Sequence, residues 1–472
     1  MEELWNKSAS ELAQGIREKL FSPSEVLQAH LDRVATVNGE LNAIVRMIDE
    51  ATDQARDADA AVIRGDTLGA LHGVPFTVKE NIDVTGYPTT DGVPAYLDAI
   101  ATQDDPAVER LRNAGGIAFA RTNLPDFGLR VHTRSSLYGL TRNPFDKDRT
   151  TAGSSGGEAS AIASGMSPLG LGNDIGGSVR NPAYCCGIAS LKPTPHRIPT
   201  ASTTSVDPPS LASQLMAVTG PMARRVEDVR LAFDLLAGAH PRDPLCAPTL
   251  PVERSFPRGA VALIPEPPGG TTNPVIAESV RLAGRALTEL GYTVTEIAPD
   301  SIVEARTIWS KLLLGDIAQE LPSLRGVASE EAIWVLEIAA EQYEVPDLAE
   351  TFKLHGERYR LQMEWSQFFQ RYPVIVGPTW TEPPFLNDVD VLDQASQEWV
   401  NEQSRFVAPM NVLGLPVACV PVGMANGLPL GVQVVANRFN DGRTLAVAAD
   451  LQEVFGSITP VSPWGQAVNN KN

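Results

Sequence analysis

Residues 153 to 180 read "GSSGGEASAIASGMSPLGLGNDIGGSVR", two glycine-serine clusters set around a short apolar helix-like run and a short apolar strand-like run. Glycine has no Cβ, so such clusters let backbone N–H groups come close to a ligand or a reacting atom. Loops of this kind cradle negative charge, either a bound phosphate at a helix N-terminus or an oxyanion that exists only during a reaction. The serines favour the oxyanion, provided something activates one of them. A phosphate-binding reading lacks both a G-K-[ST] ending and a ribose-binding acid in a βαβ frame.

Outward from this stretch, short β-rich runs recur. They are "GVPFTV" (73 to 78), "GGIAFA" (115 to 120), "PLGLG" (168 to 172), "GIASL" (187 to 191) and "GAVALI" (259 to 264), then "YTVTEI" (292 to 297), "PVIVGP" (373 to 378), "PVACVPV" (416 to 422) and "LGVQVV" (430 to 435). Helix-like segments alternate with them, which predicts an α/β fold whose mixed, mainly parallel sheet is covered by helices on both faces. The first 65 residues read as helices, with Leu12, Ile16 and Leu20 recurring every four positions and Pro23 opening a second helix. Residues 300 to 370, bearing Trp309, Trp334 and Trp365, read as a helical insertion. Proline-rich stretches at 193 to 221 and 241 to 268 read as loops rather than linkers, since candidate strands flank them. A single domain over 1 to 472 follows: helices over 1–65, a core over 66–240, the insertion over 300–370 and the rest of the sheet over 371–472.

The 472 residues are 43% hydrophobic and 20% charged, which excludes a disordered chain. A net charge of −19 without a basic stripe argues against nucleic-acid binding. No basic N-terminal region or uninterrupted apolar run of membrane length is visible, so a cytoplasmic protein with no membrane partner is expected. Cys185, Cys186, Cys246 and Cys419 form neither a disulfide framework nor a zinc pattern, and no metal or cofactor is expected.

The serine can be activated in two ways. "GSSGG" fits the nucleophile elbow G-x-S-x-G with Ser155 at its centre, but "DKDRTTA" before it is no apolar strand, and neither His196, His240 nor His355 has a suggestive setting. Lys79 is the alternative base. In "GVPFTVKENIDVTG" it lies just past an apolar strand that can carry it inside, where desolvation disfavours the ammonium form. Taken alone, a lysine at a strand end more often lies on the surface.

The two clusters, with "HGVPFTVKENIDVTG", "TRNPFDKDRTTAGSSGG", "GIASLKPT" and "GLPVACVPVGMANGLPLGVQVV", resemble the amidase signature family of serine hydrolases over residues 70 to 455. The resemblance implies one α/β domain with a mixed sheet of about eleven strands and a Ser-cisSer-Lys triad. Ser178 would be the nucleophile, Ser154 a bridging serine after a cis peptide bond, and Lys79 the base. The backbone amides of Ile175, Gly176, Gly177 and Ser178 would form the oxyanion hole, with Ser155, Asp174, Arg180 and Gln433 in supporting positions. Two residues depart from the family pattern: Ala152 replaces a common glycine, and Asn173 replaces a common Thr or Ser.

The family's implied activity is hydrolysis of small amides through an acyl-enzyme, with esters as further substrates. Likeness in the stretch from 120 to 225 points towards the carbamate-cleaving (urethanase) branch. The alternative is a glutamyl-tRNA amidotransferase A-type subunit that needs partner subunits, against which "PHRIPTAST" follows "LKPT" where that subgroup carries an arginine-tyrosine stretch. A monomer or homodimer acting on a small-molecule amide, ester or carbamate is therefore expected. Substrate selection would lie in loops 126–138 and 196–215, the tryptophan-bearing helices and "PTWTEPPF" (378 to 385). Trp309, Trp334, Trp380 and Phe385 are read chiefly as packing residues.

Overall fold

The computed structural model describes residues 3–205, 207–248 and 256–465. Part of the loop expected at 241–268, Val206 in the loop at 196–215, and the chain ends of the expected 1–472 domain lie outside the described residues. Among these, eleven strands form one central sheet: β1 (Ile44–Met47), β2 (Pro75–Lys79), β3 (Ile117–Thr122), β4 (Leu169–Asp174), β5 (Ala189–Lys192), β6 (Val218–Ala223), β7 (Ala260–Leu263), β8 (Thr293–Glu296), β9 (Val374–Pro378), β10 (Val417–Ala425) and β11 (Leu428–Ala436).

Their spatial order is β1-β3-β2-β4-β6-β5-β10-β11-β9-β7-β8. Parallel pairing occupies two blocks, β3-β2-β4 and β9-β7-β8, where strands alternate with helices in the chain. The middle of the sheet, from β4 through β6, β5, β10 and β11 to β9, is antiparallel, as is the edge pair β1-β3. Parallel pairing thus predominates within the two blocks and gives way to antiparallel pairing between them.

All nine strand-like runs became strands of this sheet, and two of its strands arose elsewhere, while Arg134–Ser135 and Gly139–Leu140 form a separate two-stranded ribbon. The short β1 interrupts the N-terminal helices that were expected to fill residues 1 to 65. The strand β6, "VTGPMA", emerges from the proline-rich stretch expected to be loop. Its Gly220 explains why: a Cβ there would meet the Leu191 carbonyl oxygen at 2.3 Å, so glycine permits the close approach of β5 and β6. The insertion is helical as expected, formed by Ile302–Leu324, Glu330–Tyr343 and Leu348–Arg371.

Two-residue periodicity sorts the strands around the site. Phe76 and Val78 of β2, with Leu169 and Leu171 of β4, enter the main apolar core. Thr77, Lys79, Gly170 and Gly172 therefore face the opposite side, which the helix Gly156–Ala163 covers. A Cβ on Gly172 would meet Ser155 Oγ at 2.7 Å, and one on Gly170 would collide with the Glu158 carboxylate. The Leu-Gly-Leu-Gly alternation buries one face and lets the helix lie close on the other. It brings the start of that helix, with Ser154 and Ser155, to the C-terminal ends of β2 and β4. Ligands bind at such ends in open α/β sheets.

Candidate active site

Lys79, the last residue of β2, is fully buried. Its Nζ donates to Ser154 Oγ at 2.7 Å and to Asn173 Oδ1 at 2.5 Å. Burial pushes its pKa down to about 7, against the pull of the Asp91, Asp174 and Glu158 carboxylates. Near neutral pH a large share of the amine is therefore uncharged and has a free lone pair. Asn173 is held in turn, its Nδ2 donating to Asn81 Oδ1 at 2.9 Å. The residue that departs from the family pattern thus contacts the lysine directly.

The peptide bond between Gly153 and Ser154 is cis, as the resemblance implied. Ser154 is 3% exposed, and Gly128 lies so close that a Cβ there would meet Ser154 Oγ at 3.2 Å. Gly153 itself leaves no room for a side chain, since a Cβ would sit 2.6 Å from the Arg130 carbonyl oxygen. Ala152 adopts a left-handed conformation at φ 60°, so the turn keeps a geometry that glycine would enter more easily.

Ser178 joins the group through its backbone: its carbonyl accepts the Ser155 N–H at 3.1 Å. The residue is half-buried, and its Oγ makes no hydrogen bond among the described residues. Ser155 is 0% exposed and its hydroxyl donates, at 3.5 Å, to the Asn173 carbonyl. It is a buried support and not an accessible nucleophile. A nucleophile elbow at Ser155 is thus unsupported.

The turn from Asp174 to Ser178 is fixed by one carboxylate. Asp174 accepts from the Gly177 N–H at 2.8 Å and the Val179 N–H at 3.1 Å, and from Arg180 Nε at 3.0 Å and Nη2 at 3.1 Å. Burial alone would raise its pKa, but Arg180's charge and hydrogen bonds hold it well below the usual carboxylate range. Arg180 is itself saturated by the Val407 carbonyl at 2.9 Å, Asn411 Oδ1 at 2.6 Å and Gln433 Oε1 at 3.3 Å. Gln433 then donates to the Pro378 and Phe406 carbonyls.

The Gly177 amide is committed to Asp174, whereas those of Ile175, Gly176 and Ser178 have no acceptor among the described residues. Opposite the turn, Trp309 Nε1 donates to the Ile175 carbonyl at 2.8 Å, and a Cβ on Gly176 would strike the indole at 2.5 Å. Trp309 therefore braces the turn, a role its sequence context concealed. Trp380 and Phe385 stack at 5.3 Å in a buried cluster, which agrees with packing. Asn411, which bonds both Asp174 and Arg180, carried no sequence signal, because its 231-residue separation from Arg180 is bridged only by the fold.

Two further carboxyls lie near Lys79. Glu158 accepts from the hydroxyls of Thr77 and Thr122, and burial raises it to about 7. Burial likewise pushes Asp91 up to about 7, with Lys79 pulling it down. No cluster of three metal-ligating side chains occurs among the described residues, and no described helix is long and apolar enough to cross a membrane.

Comparison with known proteins agrees with this architecture. The Amidase family model matches residues 25–445. Indoleacetamide hydrolase of Bradyrhizobium diazoefficiens is 38% identical over 459 residues, covering 96% of this chain and 87% of the relative. Acylamidase of Rhodococcus erythropolis is 34% identical, with 95% of each chain covered. The solved structure of 6-aminohexanoate cyclic dimer hydrolase with substrate superposes with a TM-score of 0.83 at 27% identity, covering 96% of this chain and 98% of that one. The matched family model, these relatives and the shared sheet lead to one conclusion: this chain belongs to the amidase family, whose signature enzymes are hydrolases.

Proposed function

We propose that the protein hydrolyses small neutral aryl or alkyl amides through an acyl-enzyme on Ser178, with side activity on esters and carbamates. The observation that carries this reading is the 2.7 Å hydrogen bond between a fully buried Lys79 and Ser154. Neutral Lys79 takes the Ser154 proton while Ser154 takes that of Ser178, and Ser178 Oγ attacks the acyl carbon. The amides of Ile175, Gly176 and Ser178 hold the resulting oxyanion, while Asp174 keeps the turn in shape by binding the Gly177 amide. Return of the proton along the same path releases the amine, and water then cleaves the acyl-enzyme.

Both named relatives support an amide substrate, one an indoleacetamide and the other an acylamide. Those names also leave the partner-dependent amidotransferase reading with less support. A carbamate carbonyl is less electrophilic, because both neighbours donate electron density, but a preorganised oxyanion turn offsets this. The test is amine release from a matched aryl amide and aryl carbamate by the purified single chain. Cleavage of the amide, with slower cleavage of the carbamate, is expected. Turnover confined to a glutamine-derived substrate, and only with added partner subunits, would overturn the reading.

A further inference from the structure

Away from the serines, the helical insertion holds a cavity of about 290 Å³. Leu211, Leu215 and Leu312 supply apolar wall, and Asp316, His355 and Arg358 supply its polar part. Trp309, Leu312 and Asp316 are spaced by three and four residues on Ile302–Leu324, so the cavity begins about one turn along the helix face that braces the Ile175 carbonyl.

Arg358 lines this cavity with unused donors. Its Nε donates to the Val412 carbonyl at 2.7 Å, but its Nη groups make no hydrogen bond among the described residues, and no described carboxylate lies within 4.0 Å. Burial and the nearby Arg438 guanidinium push its pKa down to about 10. Arg438 has no ion pair among the described residues either, and its Nε is buried without a hydrogen-bond partner. Arg438 instead lies over the Phe439 ring at 5.5 Å, and no described carboxylate neutralises either guanidinium. The cavity's own carboxylate does not answer them: Asp316 accepts the Ala212 N–H in the first turn of the helix Leu211–Met216. The neighbouring His355 is pushed towards its neutral form by burial and by Arg358.

We propose that this cavity binds an amphipathic monocarboxylate, its carboxylate paired with Arg358 and its aryl or alkyl body against Leu211, Leu215 and Leu312. Charge-assisted bonds from a guanidinium to a carboxylate are among the strongest a protein offers, and the apolar wall selects an acid with a hydrophobic body. Acids of this class are also what hydrolysis of neutral apolar amides releases. The choice of ligand class therefore rests on the proposed activity, although the site itself does not.

The experiment uses phenylacetate as probe and phenylacetamide as its neutral counterpart, titrated calorimetrically into enzyme whose serine has been blocked with a phosphonyl fluoride. Blocked enzyme should bind phenylacetate at least about tenfold more tightly than phenylacetamide. Arg358→Met should weaken phenylacetate binding by about tenfold or more while leaving amide turnover by unblocked enzyme within about twofold. Leu211, 48% exposed, provides a second variant that the fold tolerates: Leu211→Glu should weaken binding by repulsion. Loss of binding on blocking would place the carboxylate in the catalytic cleft, and acetate binding as tightly as phenylacetate would remove the apolar part. Undiminished binding by both variants would overturn the site. Failure of the proposed activity would appear separately, as absence of amide turnover by the unmodified protein.

Discussion

Arg180 and Arg358 belong to two regions of one molecule and are held in opposite ways. Arg180, behind the Asp174–Ser178 turn, meets two oxygens of Asp174, two side-chain carbonyls and one backbone carbonyl, and it is wholly buried. Arg358, in the helical insertion, meets the Val412 carbonyl and no described carboxylate. Around Arg180 the guanidinium donors are answered by acceptors, which removes freedom from the turn that would hold the oxyanion in the proposed mechanism. The insertion leaves a strong donor facing a cavity, an arrangement suited to a ligand that comes and goes.

The largest effect should arise where the scaffold meets the reaction. Lys79→Ala should fold and yet lose about 10²- to 10⁴-fold in kcat/KM, the usual contribution of a positioned base. The wild-type profile sharpens this point. In the proposed mechanism the neutral amine is the active form, and burial lowers its pKa to about 7, so kcat/KM should climb as pH rises towards 7 and level off above it. A profile that falls through the same range would mean that the ammonium form is the working one.

Stability should separate the two arginines next. Arg180→Met strands the Asp174 carboxylate in the interior and should cost about 3–5 kcal/mol in urea unfolding, as breaking a buried pair does. Arg358→Met breaks no ion pair and should stay within about 1 kcal/mol of wild type. Equal costs would erase the contrast. A modest kinetic effect belongs to Trp309, which joins the two regions. Trp309→Phe keeps the ring against Gly176 but loses the bond to the Ile175 carbonyl, worth about 0.5–1.5 kcal/mol net, so kcat should fall by about two- to twelvefold with KM little changed.

The legible and illegible parts of this molecule differ for physical reasons. The "PLGLG" run was legible as a strand, whereas the helix that its glycines admit on one face emerges only from the structure. The apolar run before Lys79 offered it a way inside, but taken alone it read as a surface lysine, and the family resemblance singled it out. By contrast, β6 was hidden because proline and glycine ordinarily mark loops, while here Gly220 serves a close strand contact that only the folded sheet reveals. Commitment of the Gly177 amide to Asp174 depends on a three-residue turn geometry that no residue pattern encodes. Trp309 and Asn411 reach the turn across 134 and 237 residues respectively, so their roles follow from packing alone.

The central claim is that Ser178 carries the acyl group, and labelling by a phosphonyl fluoride tests it most directly. Intact mass should show one adduct per chain. Trypsin places Ser154, Ser155 and Ser178 on the single peptide that follows Arg149 and ends at Arg180, so fragment ions must locate the label. The label is expected on Ser178 and absent from Ser178→Ala, which should also lose amide turnover. A label on Ser155 or Ser154, with Ser178→Ala still active, would contradict it.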